Sequence, residues 1–160
     1  MGDAPPRMPA SMAADLAAWN DGKGVCLETW VGCMGNFKLA AGYAALFWPR
    51  FVLFEDYVLR DYFTVETLRG FEKGNNGNKQ AVEWVINHEH LECVQHMGCE
   101  DISEDKLVFI GRILKEMWEA KLAWQFPDRP CRVEFYEPAD RSQLSEYQIS
   151  FWQTKHEAKS

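Results

Sequence analysis

No run of 18 apolar residues occurs in this chain, which excludes a segment that reads as a membrane-spanning helix. The richest stretch, residues 39–59, is broken by Pro49, Arg50, Glu55 and Asp56. Basic side chains are also scarce, 17 Lys and Arg standing against 24 Asp and Glu for a formal charge of −7. Nucleic acid is held mainly by basic side chains that displace its counterions. The eight arginines (Arg7, Arg50, Arg60, Arg69, Arg112, Arg129, Arg132 and Arg141) are scattered, most beside acids, so no nucleic-acid partner is expected. The same sign disfavours an anionic membrane surface and favours a basic protein partner.

Catalytic signatures are missing too. Residues 70–77 are rich in glycine but contain neither G-K-[ST] nor G-x-G-x-x-G, and read as a loop. Glu55 with Asp56, and Glu100 with Asp101, are adjacent pairs; neighbours on a helix or strand do not face each other, so neither is a good acid/base couple. No cysteine is tied by spacing to a histidine. The first ten residues carry three prolines and no apolar run, unlike a secretory signal, and Pro6 stands where a myristoylation signal needs Ser or Thr. Five cysteines, an odd number, without an export signal read as reduced thiols in the cytoplasm.

What is present is enough for one domain with a real core: 160 residues, 47% hydrophobic, with seven Trp, five Tyr and ten Phe. The expected organisation is a flexible tail over 1–10, one domain over 11–154 and a frayed end over 155–160. Ser11 caps a short helix that Asn20, Asp21 and Gly22 stop. Residues 25–31 alternate, with Val25, Leu27, Thr29 and Val31 on one side, and predict a strand. Asn36 caps a helix ended by Pro49. Residues 51–59 suit a strand or a helix turn. Thr64 opens a helix to about Phe71, and Asn78 one that runs from Lys79 to about Met97, with Gly98 as its stop.

Ser103 caps a long helix to about Gln125, with Ile102 and Leu107 spaced as a hydrophobic staple. Gly111 in its middle costs about 1 kcal/mol against alanine and suggests a close helix contact. Residues 131–137 and 147–153 alternate as two strands joined through 138–146. The fold class is α+β: a three- or four-stranded antiparallel sheet with four or five helices packed mainly on one face.

The densest chemistry lies in residues 88–99, which hold three of the four histidines and two of the five cysteines. On a helix, His88, Glu92 and His96 fall along one stripe, but the outer two are about 12 Å apart, too far for one metal. The zinc site this segment allows is an i, i+4 pair, His88 with Glu92 or Glu92 with His96. It is completed by Cys99 folded back past Gly98 or by the distant Cys26, Cys33, Cys131 or His156, and with it comes a metal-dependent enzyme or metal sensor. The plainer reading places Cys93 and Met97 in the core with Val82, Val85 and Ile86.

The leading expectation is a non-enzymatic acidic interaction domain, a small adaptor or inhibitor; an immunity-type protein that neutralises a basic partner is one form of it. Its contact surface is the polar side of the sheet, with Trp30, Arg132, Glu134, Tyr136 and Trp152, a composition enriched at interfaces. Burial of Trp30 and Trp152 under the N-terminal helix or the Phe51 segment is the competing expectation.

Overall fold

The computed structural model describes residues 7–158. It is α+β, with its strands divided between two small antiparallel sheets rather than gathered in one. A 3-10 turn at Ala10–Met12 leads into α1 (Ala13–Gly22), which leaves helical geometry at Trp19; Asn20, Asp21 and Gly22 take positive φ. The short helices α2 (Leu27–Met34) and α3 (Phe37–Phe47) follow.

Residues 51–59 resolve as a hairpin, β1 (Phe51–Phe54) and β2 (Tyr57–Arg60), paired Phe54 to Tyr57 across the two-residue loop Glu55-Asp56. Helices α4 (Val65–Gly74) and α5 (Lys79–Asn87) come next. Then follow the two-residue strand β3 (Glu89–His90) and a 3-10 turn at Leu91–Val94. The 22-residue α6 (Glu104–Gln125) precedes β4 (Cys131–Tyr136) and β5 (Gln148–Gln153). The second sheet runs β3-β5-β4, with Val133 opposite Phe151 and Phe135 opposite Ile149.

Three of the expected N-caps make the bond that defines them. Asn36, Thr64 and Asn78 accept from the backbone N–H of Leu39, Thr67 and Ala81 at 3.0, 3.1 and 3.2 Å. Ser103 works differently. Its hydroxyl donates to Asp105 Oδ1 at 2.6 Å, and Asp105 Oδ2 accepts the Ser11 N–H at 2.7 Å, fastening the N-terminal turn to the start of α6.

Two predicted elements are wrong. Residues 25–31 form no strand: Cys26 is extended and α2 begins at Leu27. No residue of α2 is buried, so the alternation there records no half-buried face. The helix expected from Lys79 to Met97 ends at Asn87. Tertiary bonds stop it: Glu89 and His90 pair with Ile149 and Gln148, and the Leu91 N–H donates to Tyr147 O at 2.9 Å. Cys93 is consequently exposed and Met97 wholly so, which removes both from the core.

Packing centres on two clusters that share β2. Val58 joins Phe51, Leu91, Leu107, Leu114, Trp118, Leu122, Val133, Tyr147, Ile149 and Phe151. Tyr57 and Leu59, on the opposite side, join Leu68, Val82 and Ile86. Phe51, Trp118 and Phe151 meet edge to face with ring centroids 4.9 to 6.1 Å apart, a favoured aromatic geometry. Gly111 sits where α6 crosses β4. A Cβ there would come within 2.2 Å of the Phe135 ring, so the close contact is with a strand side chain and not with another helix.

Candidate functional site

Between Cys26 and Trp48 the chain carries two charges, Glu28 and Lys38, among a majority of apolar residues. Glu28 lies in the first turn of α2, where a negative charge suits the helix dipole. Its own backbone N–H and then the Cys26 side chain hold its carboxyl below the usual range. Gly35 and the Asn36 cap turn the chain from α2 into α3. At 8 and 11 residues, these helices are shorter than an isolated helix needs for stability in water.

The two helices pack little on each other, a loose helical hairpin that the body of the protein grips mainly at its two ends. At the start, Val25 and Gly24 donate backbone N–H groups to Leu16 O and Trp19 O at 3.1 and 2.9 Å. At the finish, Leu46 and Phe47 pack on the larger cluster, and the Trp118 indole N–H donates to Leu46 O at 3.2 Å. Lys121 Nζ stands 5.1 Å from the Trp48 ring centroid. Neither α2 nor α3 contributes a buried residue.

The side chains between those ends are left to solvent although they are large and apolar. Phe37 is 95% exposed, Met34 59%, Leu39 55% and Val31 54%. With Trp30, Ala40 and Tyr43 they line a groove of about 550 Å³. A helix apolar on most sides is ordinarily buried, so an exposed one marks a face waiting for cover.

The residues expected to form a contact surface are only partly brought together. Arg132, Glu134 and Tyr136 lie exposed on one side of β4. Trp152 is opposite Arg132 in register but buried at 6% exposure, its indole N–H donating to Glu157 Oε1 at 2.9 Å. Glu157 also accepts from Arg132 Nε at 2.6 Å, so that arginine is already paired. Helix α5 lies against β5, and Ser150 Oγ donates to Trp84 O at 2.7 Å. Trp30 belongs to α2 and is half-buried, with Trp19 and Met34 nearby, outside the sheet altogether.

The metal-ligand candidates are likewise spread along irregular chain. His88 caps α5 and His90 lies on β3, their rings edge to face at 5.2 Å between centroids. Their Nδ1 atoms lie 2.6 Å from Val85 O and 3.0 Å from Ser145 O. Glu92 lies on the 3-10 turn, while His96 and Cys99 occupy the loop before α6. Among the described residues, no three of His, Cys, Asp and Glu are grouped to hold a metal ion. Nor is a helix among them long and apolar enough to cross a membrane.

A second polar cluster escaped sequence reasoning. Asp56 accepts from Lys155, from Lys79 Nζ at 2.8 Å and from Arg129 at 3.2 Å; first Lys155 and then Lys79 hold its carboxyl far below the usual range. Beside it the fully buried Glu83 accepts from the backbone N–H of Val58 and Gln153 at 2.9 and 2.7 Å. His156 Nδ1 lies 3.1 Å from Glu83 Oε2. These groups join elements to one another; the carboxylates are occupied by structural donors.

Comparison of the chain with protein families, curated proteins and solved structures finds no match.

Proposed function

We propose that the chain is a non-enzymatic protein-interaction domain whose contact surface is the α2–α3 hairpin. The observation that carries this reading is the exposure of Val31, Met34, Phe37 and Leu39 on two helices without a buried residue. The partner contributes apolar side chains rather than basic ones, because Glu28 and Lys38 balance and leave the face without net charge. Affinity would come from burying aromatic and aliphatic side chains in a groove, with Phe37 as the anchor. The β4 face of Arg132, Glu134 and Tyr136 is the lesser surface, since Arg132 is engaged by Glu157 and Trp152 is buried.

A photo-crosslinking amino acid in place of Phe37, and separately in place of Glu134, tests the assignment in living cells. A discrete protein adduct from position 37 and none from position 134 is the expected outcome. Adducts from 134 alone would move the surface to β4, and none from either position would remove the reading.

A further inference from the structure

We infer that the occupant of the α2–α3 groove is a second copy of this chain, so that the protein is a two-fold dimer sealed by the two hairpins. This rests on the hairpin being the contact surface and adds what covers it.

A two-fold interface must be self-complementary: the patch that protrudes on one copy has to fit a recess in the same patch of the other. The hairpin supplies both parts. Phe37, at the first position of α3, is nearly free of neighbours and forms the projection. The groove lined by Trp30, Val31, Met34, Leu39, Ala40 and Tyr43, with Phe37 itself on one wall, forms the recess. At about 550 Å³ it falls in the size range that takes a sizeable apolar group. Rotation about a two-fold axis seats each Phe37 in the other copy's groove. Four short helices then shield one another, which removes the weakness that each has alone.

Charge and area agree with this choice. A chain of net charge −7 repels its own copy, so a self-contact is favoured where the charge is locally cancelled, as it is between residues 26 and 48. Large exposed side chains present about 150–250 Å² each when fully free. On that scale the exposed parts of Val31, Met34, Phe37, Leu39 and Tyr43 come to roughly 500 Å². Trp30, Gly32, Gly35 and Ala40, which line the same groove, add to that face and bring it towards the roughly 800 Å² that each partner buries in a standard interface. Gly32, in the groove lining, has no heavy atom within 4 Å of where a Cβ would sit, leaving room for a second backbone to approach.

Sedimentation velocity from about 1 to 100 µM, on the full chain without a tag, tests the dimer. The wild type is expected to sediment as a dimer, and Phe37→Asp to weaken association by at least about 30-fold, the loss of an interface anchor. The thermal melt of Phe37→Asp at low concentration should match the wild-type monomer, because that side chain touches no core. A Glu134→Lys control should remain dimeric.

A wild type that stays monomeric throughout the range overturns the inference, as does a Phe37→Asp protein that still dimerises. A monomer that co-floats with neutral phosphatidylcholine vesicles also overturns it, in favour of a lipid surface. The photo-crosslink at position 37 separates this failure from that of the underlying reading. An adduct to a different protein with a monomeric wild type sinks the dimer and keeps the docking surface, whereas no adduct sinks both.

Discussion

Glu83 and Asn87 stand one turn apart on α5 and together bond to the facing edges of both sheets. Glu83 Oε1 takes the Val58 N–H of β2, and its Oε2 takes the Gln153 N–H of β5. Asn87 Oδ1 accepts from the Arg60 N–H at 3.0 Å; its Nδ2 donates to Val58 O at 3.0 Å and Phe151 O at 3.2 Å. Both residues are completely buried. Backbone groups that a continuous sheet would pair with another strand are paired here by two side chains.

Replacing the first of these residues should be costly even when its shape is kept. Glu83→Gln exchanges one acceptor oxygen for a donor facing a buried N–H. The expected loss is about 2–3 kcal/mol, the scale for an unsatisfied buried group in a polar network. Urea unfolding followed by tryptophan fluorescence measures it. A loss below about 0.5 kcal/mol would mean that these bonds contribute little to joining the sheets.

Gly111→Ala sets two known effects against each other. Helix propensity favours alanine by about 1 kcal/mol, but the new methyl would collide with the edge of the Phe135 ring at 2.2 Å. Overpacking of about 1–3 kcal/mol should win, giving a net loss of stability. Adding Phe135→Leu ought to recover part of it, and equal losses with and without that second change would count against the contact.

The Asp56 cluster makes stability depend on pH in a defined direction. Its carboxyl has a folded pKa depressed below the ordinary 3.8 by Lys155 and Lys79. The unfolded chain therefore binds the proton first as pH falls. The contribution is complete above about pH 5, shrinks below the ordinary value and is lost through the depressed one. The stability difference between wild type and Asp56→Asn should thus be flat from pH 7 to 5 and narrow towards pH 3. A difference that widens on acidification would reverse the sign.

The cysteines should differ sharply in reactivity. Cys26, Cys33 and Cys93 are exposed. Burial, reinforced by Glu83, pushes the Cys131 thiol up to about 12. At pH 8 the Cys131 thiol therefore stays almost wholly protonated. Partial desolvation by its neighbours and then the Glu89 and Glu92 charges also raise Cys93. Iodoacetamide under native conditions should label Cys26 and Cys33 fastest, Cys93 more slowly and Cys131 hardly at all, as mass spectrometry of the digested protein would show. Early modification of Cys131 would contradict its burial.

Local signals in the sequence carried much of the architecture. Asn36, Thr64 and Asn78 marked three helix starts because an N-cap is decided by one side chain and the next three residues. The β4 and β5 alternation was legible because Val133, Ile149 and Phe151 point into one core. The end of α5 was not, because no glycine or proline marks Asn87; pairing with β5, distant in sequence, stops the helix there. That single displaced terminus dissolved the helical stripe through His88, Glu92 and His96. The strand expected at residues 25–31 failed because a period-two pattern is informative only where one face is buried, and none is. The apolar run of α3 was visible, but its exposure depends on contacts the chain does not make with itself.

Those missing contacts leave the core and the proposed contact surface on different residues. The core and the α5 bonds would survive a rewritten sequence between residues 31 and 43, since nothing buried depends on it. The hairpin is in that sense an exchangeable fitting on a fixed mount formed by Leu46, Phe47 and Trp118. Under the proposed function, selection can therefore change what this surface binds without first finding a new way for the chain to fold.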